Sequence, residues 1–308
     1  MIAYVKDRIA KGIFWVSGVT IILTLFAILG YVAIKGIGAM SLEFLLEIPR
    51  SAGREGGIFP AILGTLYLTA IALLFAAPIG VGAAIYLTEF TKEGRITNII
   101  RLGVDTLNAV PSIVFGLFGF ALFVFYLRDY TGGVSILSGG LTLGFMILPT
   151  VIRTSEVAIK TVPKSDKEGS YALGATKLYT IRKVILPSAL PGIVTGLILG
   201  LGRAAGETAP IIFTAAVLNP ILPTSIFDPT MALTTHLYTL TSEGISERNA
   251  FGTALVLIII ILILNYTAKF LNNYLSSNPF LSLKKKDKKN SFRNFCAQVP
   301  QSGTSGKR

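Results

Sequence analysis

Charged residues are scarce in this sequence. Of its 308 residues only 14% are Asp, Glu, Lys or Arg, whereas 52% are hydrophobic. A soluble domain carries about a quarter charged residues, which keep its surface wetted. The charges that are present fall in clusters separated by long apolar stretches. This shortage excludes an ordinary soluble domain and indicates a protein that lies in lipid.

Cysteine and histidine are nearly absent as well. The one cysteine, Cys296, excludes an internal disulfide, and with His236 as the one histidine no Cys/His metal cluster can form. The sequence also lacks the Gly-x-x-x-x-Gly-Lys-Ser/Thr loop that holds nucleotide phosphates. We therefore expect no metal site, no catalytic residue and no bound cofactor in this chain, and we expect His236 to be an exposed or packed polar residue.

Six apolar stretches are long enough for a helix to cross the hydrocarbon core of a bilayer, which takes about 20 residues. They predict spans at 12–34, 58–87, 106–127, 131–152, 191–217 and 250–268. Transmembrane strands alternate polar and apolar residues over about ten positions, whereas residues 255–264 are apolar on every face. The pattern therefore predicts an all-α transmembrane domain of six helices over residues 12–275.

The first apolar stretch follows three basic residues, as the core of a signal peptide also does. Its length of about 20 residues is enough to span a bilayer. Ile34, Lys35 and Gly36, which come next, offer no small-x-small cleavage site. We therefore interpret this stretch as a membrane helix.

Basic residues are distributed unevenly between the two sides of the predicted bundle. With six spans both termini lie on one side, which receives twenty of the 28 Lys and Arg residues, whereas the opposite side receives five. Because basic residues near helix ends stay in the cytoplasm, we expect both termini to be cytoplasmic. The predicted cytoplasmic parts are an N-terminal segment at 1–11, a long loop at 160–190 and a basic, disordered tail at 276–308.

The net charge of +12 does not indicate a nucleic-acid partner. The basic residues are sorted by membrane side and do not form one patch interleaved with aromatic residues. The lysine-rich run that follows the sixth span, residues 284–289, instead predicts contact with anionic membrane lipid.

The loop at 160–190 has the pattern of two short helices. Ser165 and Glu168 have the spacing of a capping box, which predicts a helix that begins at Ser165. Gly174 can adopt the left-handed conformation that ends a helix, and the residues after it predict a second short helix bounded by Pro187. The loop also holds more apolar residues than a solvated connector needs. We expect these to be buried against a partner or lipid: Tyr171, Leu173, Leu178, Ile181 and Ile185.

This loop resembles the EAA loop of permease subunits of ABC importers. The resemblance lies in the spacing of Glu168, Gly174 and the pair Leu186–Pro187, although Gly169 and Ser170 replace the usual two alanines. It implies that the loop inserts into a cleft of a separate ATP-binding subunit, which uses ATP and Mg²⁺. The residues implied to dock there are Glu168, Gly169, Ser170, Ala172, Gly174, Leu186 and Pro187.

Residues 107–119 (LNAVPSIVFGLFG) and 203–210 (RAAGETAP) resemble the PstA family of phosphate importer permeases, as do residues 56–69 and 148–156. The resemblance implies a type I ABC importer permease fold in the cell membrane of a prokaryote, and import of inorganic phosphate. It also implies three kinds of partner: a second homologous permease subunit, two copies of an ATP-binding subunit and an extracytoplasmic phosphate-binding protein. Another oxyanion (sulfate, molybdate or tungstate), an ion-coupled secondary transporter and an assembly factor without a transport path remain alternatives.

Two ionisable residues lie within the fifth apolar stretch, where an unpaired charge costs several kcal/mol. Arg203 and Glu207 are four residues apart, which places them on one helix face, and neighbouring glycines predict close helix approach. A guanidinium also binds phosphate oxygens in a bidentate manner. We expect Arg203, Glu207 and Thr208 to line a substrate path, a purely structural ion pair being the alternative.

Pro111 lies within the third predicted span. Because proline lacks a backbone N–H, we expect Pro111 to kink that helix, and Ser112 to form a local hydrogen bond that compensates. A bend of this kind either lines the substrate path, which is the role we assign to Pro111 and Ser112, or serves packing alone.

Overall fold

The computed structural model describes residues 2–217 and 222–277, most of which are helical. The helices found over these residues are α1 (Ile2–Ile37), α2 (Leu42–Leu46), α3 (Phe59–Ile85), α4 (Arg95–Asn108), α5 (Ser112–Gly119), α6 (Arg128–Thr131), α7 (Ile136–Lys160), α8 (Lys164–Ala172), α9 (Lys177–Thr180), α10 (Leu186–Gly206), α11 (Ala209–Thr214), α12 (Leu233–Ser242) and α13 (Glu247–Ser277). π-helical turns extend three of them: Tyr86–Phe90 after α3, Phe120–Tyr126 after α5 and Ile181–Ile185 between α9 and α10. From residue 278 onward the predicted tail lies outside the described residues.

Five helical segments of the described chain are long and apolar enough to cross a membrane, and α4 with α5 makes a sixth if the two count as one bent span. The five are Ala10–Ile37, Phe59–Phe90, Ile136–Lys160, Lys177–Gly206 and Glu247–Phe270. Apolar runs form helices in lipid because a helix satisfies its backbone N–H and C=O groups internally. The predicted all-α transmembrane fold is confirmed.

The third predicted span, 106–127, is not one helix. α4 ends at Asn108, α5 begins at Ser112, and the two axes meet at 97°. Pro111 causes the break, because it has no N–H to donate and because the residue before a proline avoids the helical region. A complete break replaces the kink that we expected there.

Helix boundaries differ from the prediction at three other places. The fourth predicted span, 131–152, is observed at Ile136–Lys160, after Gly132 and Gly133, both of which have positive φ. The predicted N-terminal segment at 1–11 belongs to α1 from residue 2 onward. The fifth span differs in where it begins and ends, for a reason given next.

The fifth span was expected at 191–217, after a short helix bounded by Pro187, but it runs without interruption over Lys177–Gly206. A proline normally clashes with the carbonyl four residues before it, which here is that of Lys183. The π-helical turn at Ile181–Ile185 widens the helix directly before Pro187, and the helix continues through it.

The described chain divides into two compact units, and several of the long helices pass from one to the other. The first unit comprises residues 1–75, 110–147 and 202–263. Its core contains Phe44, Ile58, Ala61, Leu233 and Val256. Glycines on α7 let this helix approach α3 closely, because a Cβ placed at Gly140 would lie 2.5 Å from Ile71. Such small-residue contacts are the usual way in which membrane helices pack.

α1 is the least covered helix of the first unit. Residues 11–29 are exposed on all sides, and its described contacts with the rest of the unit lie near its C-terminal end. There Gly36 lies against the backbone of Phe251, and Tyr31 meets the Phe251 ring edge-on at 5.5 Å. The apolar surface of α1 is therefore free for contact with lipid.

Of the described residues, the second unit comprises 76–109, 148–201 and 264–277. α10 packs closely on α7 at two glycines, with Gly192 against Ala158 and Gly196 against Thr154. The core that results is formed by the following buried residues: Ala84, Ala158, Ile159, Val162, Ile181, Ile185, Ala189 and Ile193.

Candidate functional site

The segment between α7 and α10, here called the coupling segment (residues 164–187), consists of α8, a turn and α9 continuing into α10. The capping box predicted at its start is wrong. Pro163 occupies the N-cap position, α8 begins at Lys164, and the Ser165 hydroxyl lies 3.4 Å from the Asp166 carboxylate. Asp166 lies in the first turn, where a negative charge interacts favourably with the helix dipole.

Gly174 ends the first of these helices in the predicted manner. Its φ of +78° is the left-handed conformation, which costs glycine nothing because it has no Cβ. The Gly174 N–H donates to the Tyr171 carbonyl at 2.9 Å, and the Ala175 N–H donates to the Ser170 carbonyl at 3.2 Å. No atom lies within 4 Å of the position a Cβ would take, so this turn faces open space.

The apolar residues of the coupling segment separate into two groups. Leu173 is 90% exposed and Leu178 is 61% exposed, and Tyr171 is exposed beside them. Ile181 and Ile185 are instead buried in the core of their own chain, because the π-helical turn directs them toward α7 and α3, so the expectation that they meet a partner or lipid is wrong. The first group leaves a bare apolar patch around the Gly174 turn.

The residues expected to dock on an ATP-binding subunit are also divided. Glu168, Gly169 and Ala172 are exposed on α8, next to the Gly174 turn. The hydroxyl of Ser170, which is half-buried, hydrogen-bonds that of Thr180 at 2.9 Å. Leu186 and Pro187 lie partly buried at the start of α10, where Leu186 packs on the core of the second unit.

In the first unit, the Arg203 and Glu207 pair marks the end of a helix. α10 ends at Gly206, Glu207 and Thr208 are not helical, and α11 begins at Ala209. Arg203 Nε lies 3.7 Å from Glu207 Oε1, and the two side chains are 30% and 19% exposed. The expected pairing is therefore present, at a distance longer than a hydrogen bond.

The break after α10 is held by α12. The Thr234 hydroxyl donates to the Glu207 carbonyl at 2.7 Å, which satisfies an acceptor left free by the end of the helix. The close helix approach expected at Gly206 does not occur, because no atom lies within 4 Å of the position its Cβ would take. Gly206 instead leaves the side of the helix between Arg203 and Glu207 open.

Pro111 and Ser112 begin α5, which packs on α11. The closest contact lies at Gly116, where a Cβ would lie 3.0 Å from the Pro210 Cα and from the Phe213 ring. The Pro111 carbonyl accepts from the Val114 N–H at 3.0 Å, so the local hydrogen bond found here is a backbone one and does not involve the Ser112 hydroxyl. The structure thus brings the helix that follows one break against the helix that follows the other.

The sequence interpretation missed a buried carboxylate in the second unit. The side chain of Glu156 on α7 is 2% exposed and is surrounded by three cations. Arg101 Nε lies 2.6 Å and Lys160 Nζ 2.8 Å from Oε1, and Arg153 Nη1 lies 3.1 Å from Oε2. Both contacts to Oε1 are close ion pairs.

Exposed carboxylates complete this network. Glu93 binds the Arg101 guanidinium at 2.6 Å and lies 3.9 Å from Lys160, and Asp105 lies 3.6 Å from Arg153. The hydrogen bond from Arg101 lowers the pKa of the exposed Glu93 carboxyl. The spacing of Arg153, Glu156 and Lys160 along α7 is the one sequence signal that could have indicated this network.

His236 is a packed residue of α12, as one of our two expectations had it. It is 3% exposed and lies against Gly53, where a Cβ would come within 2.7 Å of the imidazole ring. Burial lowers the pKa of His236 to about 4, because the charged form loses its hydration. The imidazole is therefore neutral at neutral pH.

Comparison with known proteins places this arrangement in a family. Residues 76–278 match the family described as the binding-protein-dependent transport system inner membrane component. The chain belongs to this family. It is thus a permease subunit of an ABC importer and a multi-pass protein of the prokaryotic inner membrane.

Two relatives match over nearly their whole length. The probable ABC transporter permease protein YqgI of Bacillus subtilis is 34% identical over 283 residues, covering 87% of this chain and 95% of that protein. The probable phosphate transport system permease protein PstA of Methanocaldococcus jannaschii is 38% identical over 265 residues, covering 85% and 92%. The resemblance to PstA permeases is confirmed, since a further PstA, from Pasteurella multocida, is 32% identical over 84% of the chain.

A solved structure shows the same fold. The bacterial alginate ABC transporter, in complex with an alginate pentasaccharide-bound periplasmic protein, contains a chain that matches with a TM-score of 0.62 at 15% identity. The match covers 90% of this chain and 96% of the other. The fold is that of a type I ABC importer permease, as the resemblance of the sequence implied.

Proposed function

We propose that this permease forms half of the translocation path of an ATP-driven importer of inorganic phosphate. The observation that carries the proposal is the 38% identity to a probable phosphate transport system permease over 92% of its length. That similarity covers 85% of this chain and is not confined to one motif. Phosphate is therefore a better candidate than sulfate, molybdate or tungstate.

The two helix breaks of the first unit support a path for an anion. Helix breaks in membrane proteins are tolerated where they line a cavity or are buried in protein. Arg203 lies at one break with its guanidinium partly exposed, and its pairing with Glu207 is loose at 3.7 Å. We propose that an entering phosphate binds Arg203 in place of Glu207, and that Thr208, Pro111 and Ser112 line the same path.

The coupling segment supports a role in receiving force from an ATPase. Its bare patch around Gly174 is apolar, exposed and held by two short helices, as a docking surface needs to be. We propose that it binds an ATP-binding subunit, present in two copies, which uses ATP and Mg²⁺. The termini lie on the same cytoplasmic side in this proposal.

Two further partners complete the proposed assembly. A second homologous permease subunit encloses the other half of the path. An extracytoplasmic phosphate-binding protein delivers phosphate to the segments at 35–55 and 218–249, which the distribution of basic residues assigns to the side opposite the coupling segment.

The test is import of ³²P-labelled phosphate into proteoliposomes that hold the complete complex. We expect uptake that needs ATP and the binding protein and that excess unlabelled phosphate suppresses. Suppression by sulfate, molybdate or tungstate but not by phosphate would contradict the choice of phosphate. Uptake that does not require ATP and that a proton ionophore abolishes would instead show an ion-coupled secondary transporter.

A further inference from the structure

The coupling segment touches a third transmembrane helix, besides α7 and α10 to which the chain joins it. Lys167 on α8 lies with its Nζ 2.5 Å from Oε1 of Glu89, in the π-helical turn that ends α3. The Glu89 side chain is 8% exposed and that of Lys167 is 20% exposed. Both charges are thus largely withdrawn from solvent, unlike most lysine and glutamate side chains.

A second contact lies directly beside the first. The Nζ of Lys177, on α9, lies 4.7 Å from the centre of the Phe90 ring, which is a cation–π distance. Each short helix of the coupling segment therefore contributes one lysine to a contact with the end of α3: Lys167 contacts Glu89, and Lys177 contacts Phe90. The hydrogen bond between Ser170 and Thr180 ties the two short helices to each other.

An ion pair that is withdrawn from solvent in this way fixes the relative position of its two helices more than it adds to the free energy of folding. Removing two charges from water offsets most of their mutual attraction, so a buried pair is a weak source of stability. Once formed, however, it resists separation, because either partner left alone would be a buried charge without compensation. Relative movement of α8 and the end of α3 is therefore strongly disfavoured at this point.

We propose that Glu89 and Lys167 form a latch that fastens the coupling segment to α3. This inference rests on the proposed function, namely that an ATP-binding subunit moves the coupling segment. A displacement of α8 then reaches α3 through the latch at the same time as it reaches α7 and α10 through the chain. Glu89 and Lys167 are positioning residues in this proposal, and Lys177 and Phe90 support them.

The test uses the complete complex in proteoliposomes and measures ATP hydrolysed per labelled phosphate imported. Lys167→Gln and Glu89→Gln are each expected to raise this ratio at least fivefold while the complex stays assembled. The exchanged pair, Glu89→Lys with Lys167→Glu, is expected to return the ratio to within twofold of the wild type. Lys92→Gln is the control, because this exposed lysine lies outside the coupling segment and is not the ion-pair partner of Glu89, and it should leave the ratio unchanged.

The same ratio distinguishes a latch from an ion pair that only holds the fold. A pair of the second kind would lower the yield of complex without changing the ratio in the complex that forms, so an unchanged ratio in both single variants overturns the latch. If the single variants do not assemble, the exchanged pair decides: a normal ratio supports the latch, and a raised ratio or failed assembly overturns it. Failure of the proposed function is visible separately, because the wild-type complex would then import no phosphate.

Discussion

Arg203 and Glu207 lie where a transmembrane helix ends, and this position gives their pairing its loose geometry. A helix that continued through Glu207 would hold the two side chains one turn apart and in contact. The end of α10 at Gly206 instead leaves Arg203 Nε 3.7 Å from the carboxylate, with both side chains partly exposed. In the proposed function, the Arg203 guanidinium exchanges this carboxylate for the entering phosphate.

Replacing the arginine tests this at the residue scale. Arg203→Gln keeps a polar side chain of similar reach but removes the charge, so we expect ATP-dependent phosphate uptake to fall at least tenfold, a loss of about 1.4 kcal/mol or more. Assembly and ATP hydrolysis should persist. Arg95→Gln is the control, since Arg95 is exposed at the start of α4 and lies outside every segment that we assign to a partner. Unchanged uptake by an assembled, ATP-hydrolysing Arg203→Gln complex would disprove the pathway role.

His236 predicts how stability depends on pH. Its pKa of about 4 in the folded protein lies below the ordinary value of 6.5, because burial disfavours the charged form. Below pH 6.5 the imidazole is therefore protonated in the unfolded chain but stays neutral in the folded chain. The stability contributed by this residue is lost as the pH falls from about 6.5 to 4. The full loss is on the order of 3 kcal/mol.

Thermal unfolding in detergent at pH 7.5 and pH 5 measures this effect. The wild-type protein should lose more stability between the two pH values than His236→Gln, which cannot be protonated. Cys296→Ser serves as the control for substitution as such and should follow the wild type. Equal losses in the wild type and in His236→Gln would show that another group sets the pH dependence.

Single residues could be predicted from the sequence where a rare type stands in an unusual setting. Arg203 and Glu207 stood out because they interrupt an apolar run, and Gly174 because it follows a helical pattern. Glu89 gave no such signal, since its partner Lys167 lies 78 residues away along the chain. For Glu156 the spacing of Arg153 and Lys160 indicated only part of the network, since Arg101 lies 55 residues away. Long-range pairs of this kind depend on how helices pack, which one sequence does not reveal.

At the scale of helices, Glu156 joins α4 to α7. α4 carries Arg101 and Asp105 on the face that meets α7, and Thr150 donates to the Asn108 side chain at 2.9 Å one turn further along. Polar and charged contacts take the place of apolar packing between these two helices. The exposed end of this interface, at Glu93, shares Arg101 and Lys160 with the buried end at Glu156.

Glu156→Gln and Glu93→Gln therefore form a matched pair. Both remove a carboxylate that faces Arg101 and Lys160, but Glu156 is 2% exposed and Glu93 is 70% exposed. We expect Glu156→Gln to lower the free energy of unfolding by ~3 kcal/mol, because it removes the buried carboxylate that three cations share and leaves Arg101, which is 13% exposed, with Glu93 alone. Glu93→Gln should cost much less, because exposed ion pairs contribute little to stability. Thermal unfolding in detergent measures both, and equal shifts would disprove the role of burial.

Whole helices could be predicted from hydropathy, whereas their breaks could not. A run such as 106–127 is apolar throughout, so it shows neither that α4 ends at Asn108 nor that α5 leaves at 97°. Pro111 indicated a bend, but the size of a bend depends on what the two halves pack against, here α11 in the case of α5. Pro187 predicted a helix boundary that does not occur, because the π-helical turn directly before it lets the helix continue.

At the scale of the whole molecule, the proposed function depends on a contact between the coupling segment and an ATP-binding subunit. The surface that we assign to this contact is the patch around the Gly174 turn. Docking there requires both the left-handed conformation of Gly174 and the exposure of the apolar side chains beside it. Gly174 has φ +78°, so any side chain strains the turn, and an arginine there also adds a charge beside Leu173. Gly174→Arg should therefore damage docking while leaving the transmembrane helices unchanged.

Co-purification with a co-expressed ATP-binding subunit measures this loss. We expect Gly174→Arg to retain less than about one tenth of the ATPase bound by the wild type, a change of at least about 1.4 kcal/mol. Gly244→Arg is the matched control, because Gly244 also has a positive φ, +61°, and open space around it but lies in the loop after α12. If both variants lose the ATPase, the cause is general misfolding. If neither does, the coupling segment is not the site at which the ATPase binds, and its bare apolar patch must meet some other partner.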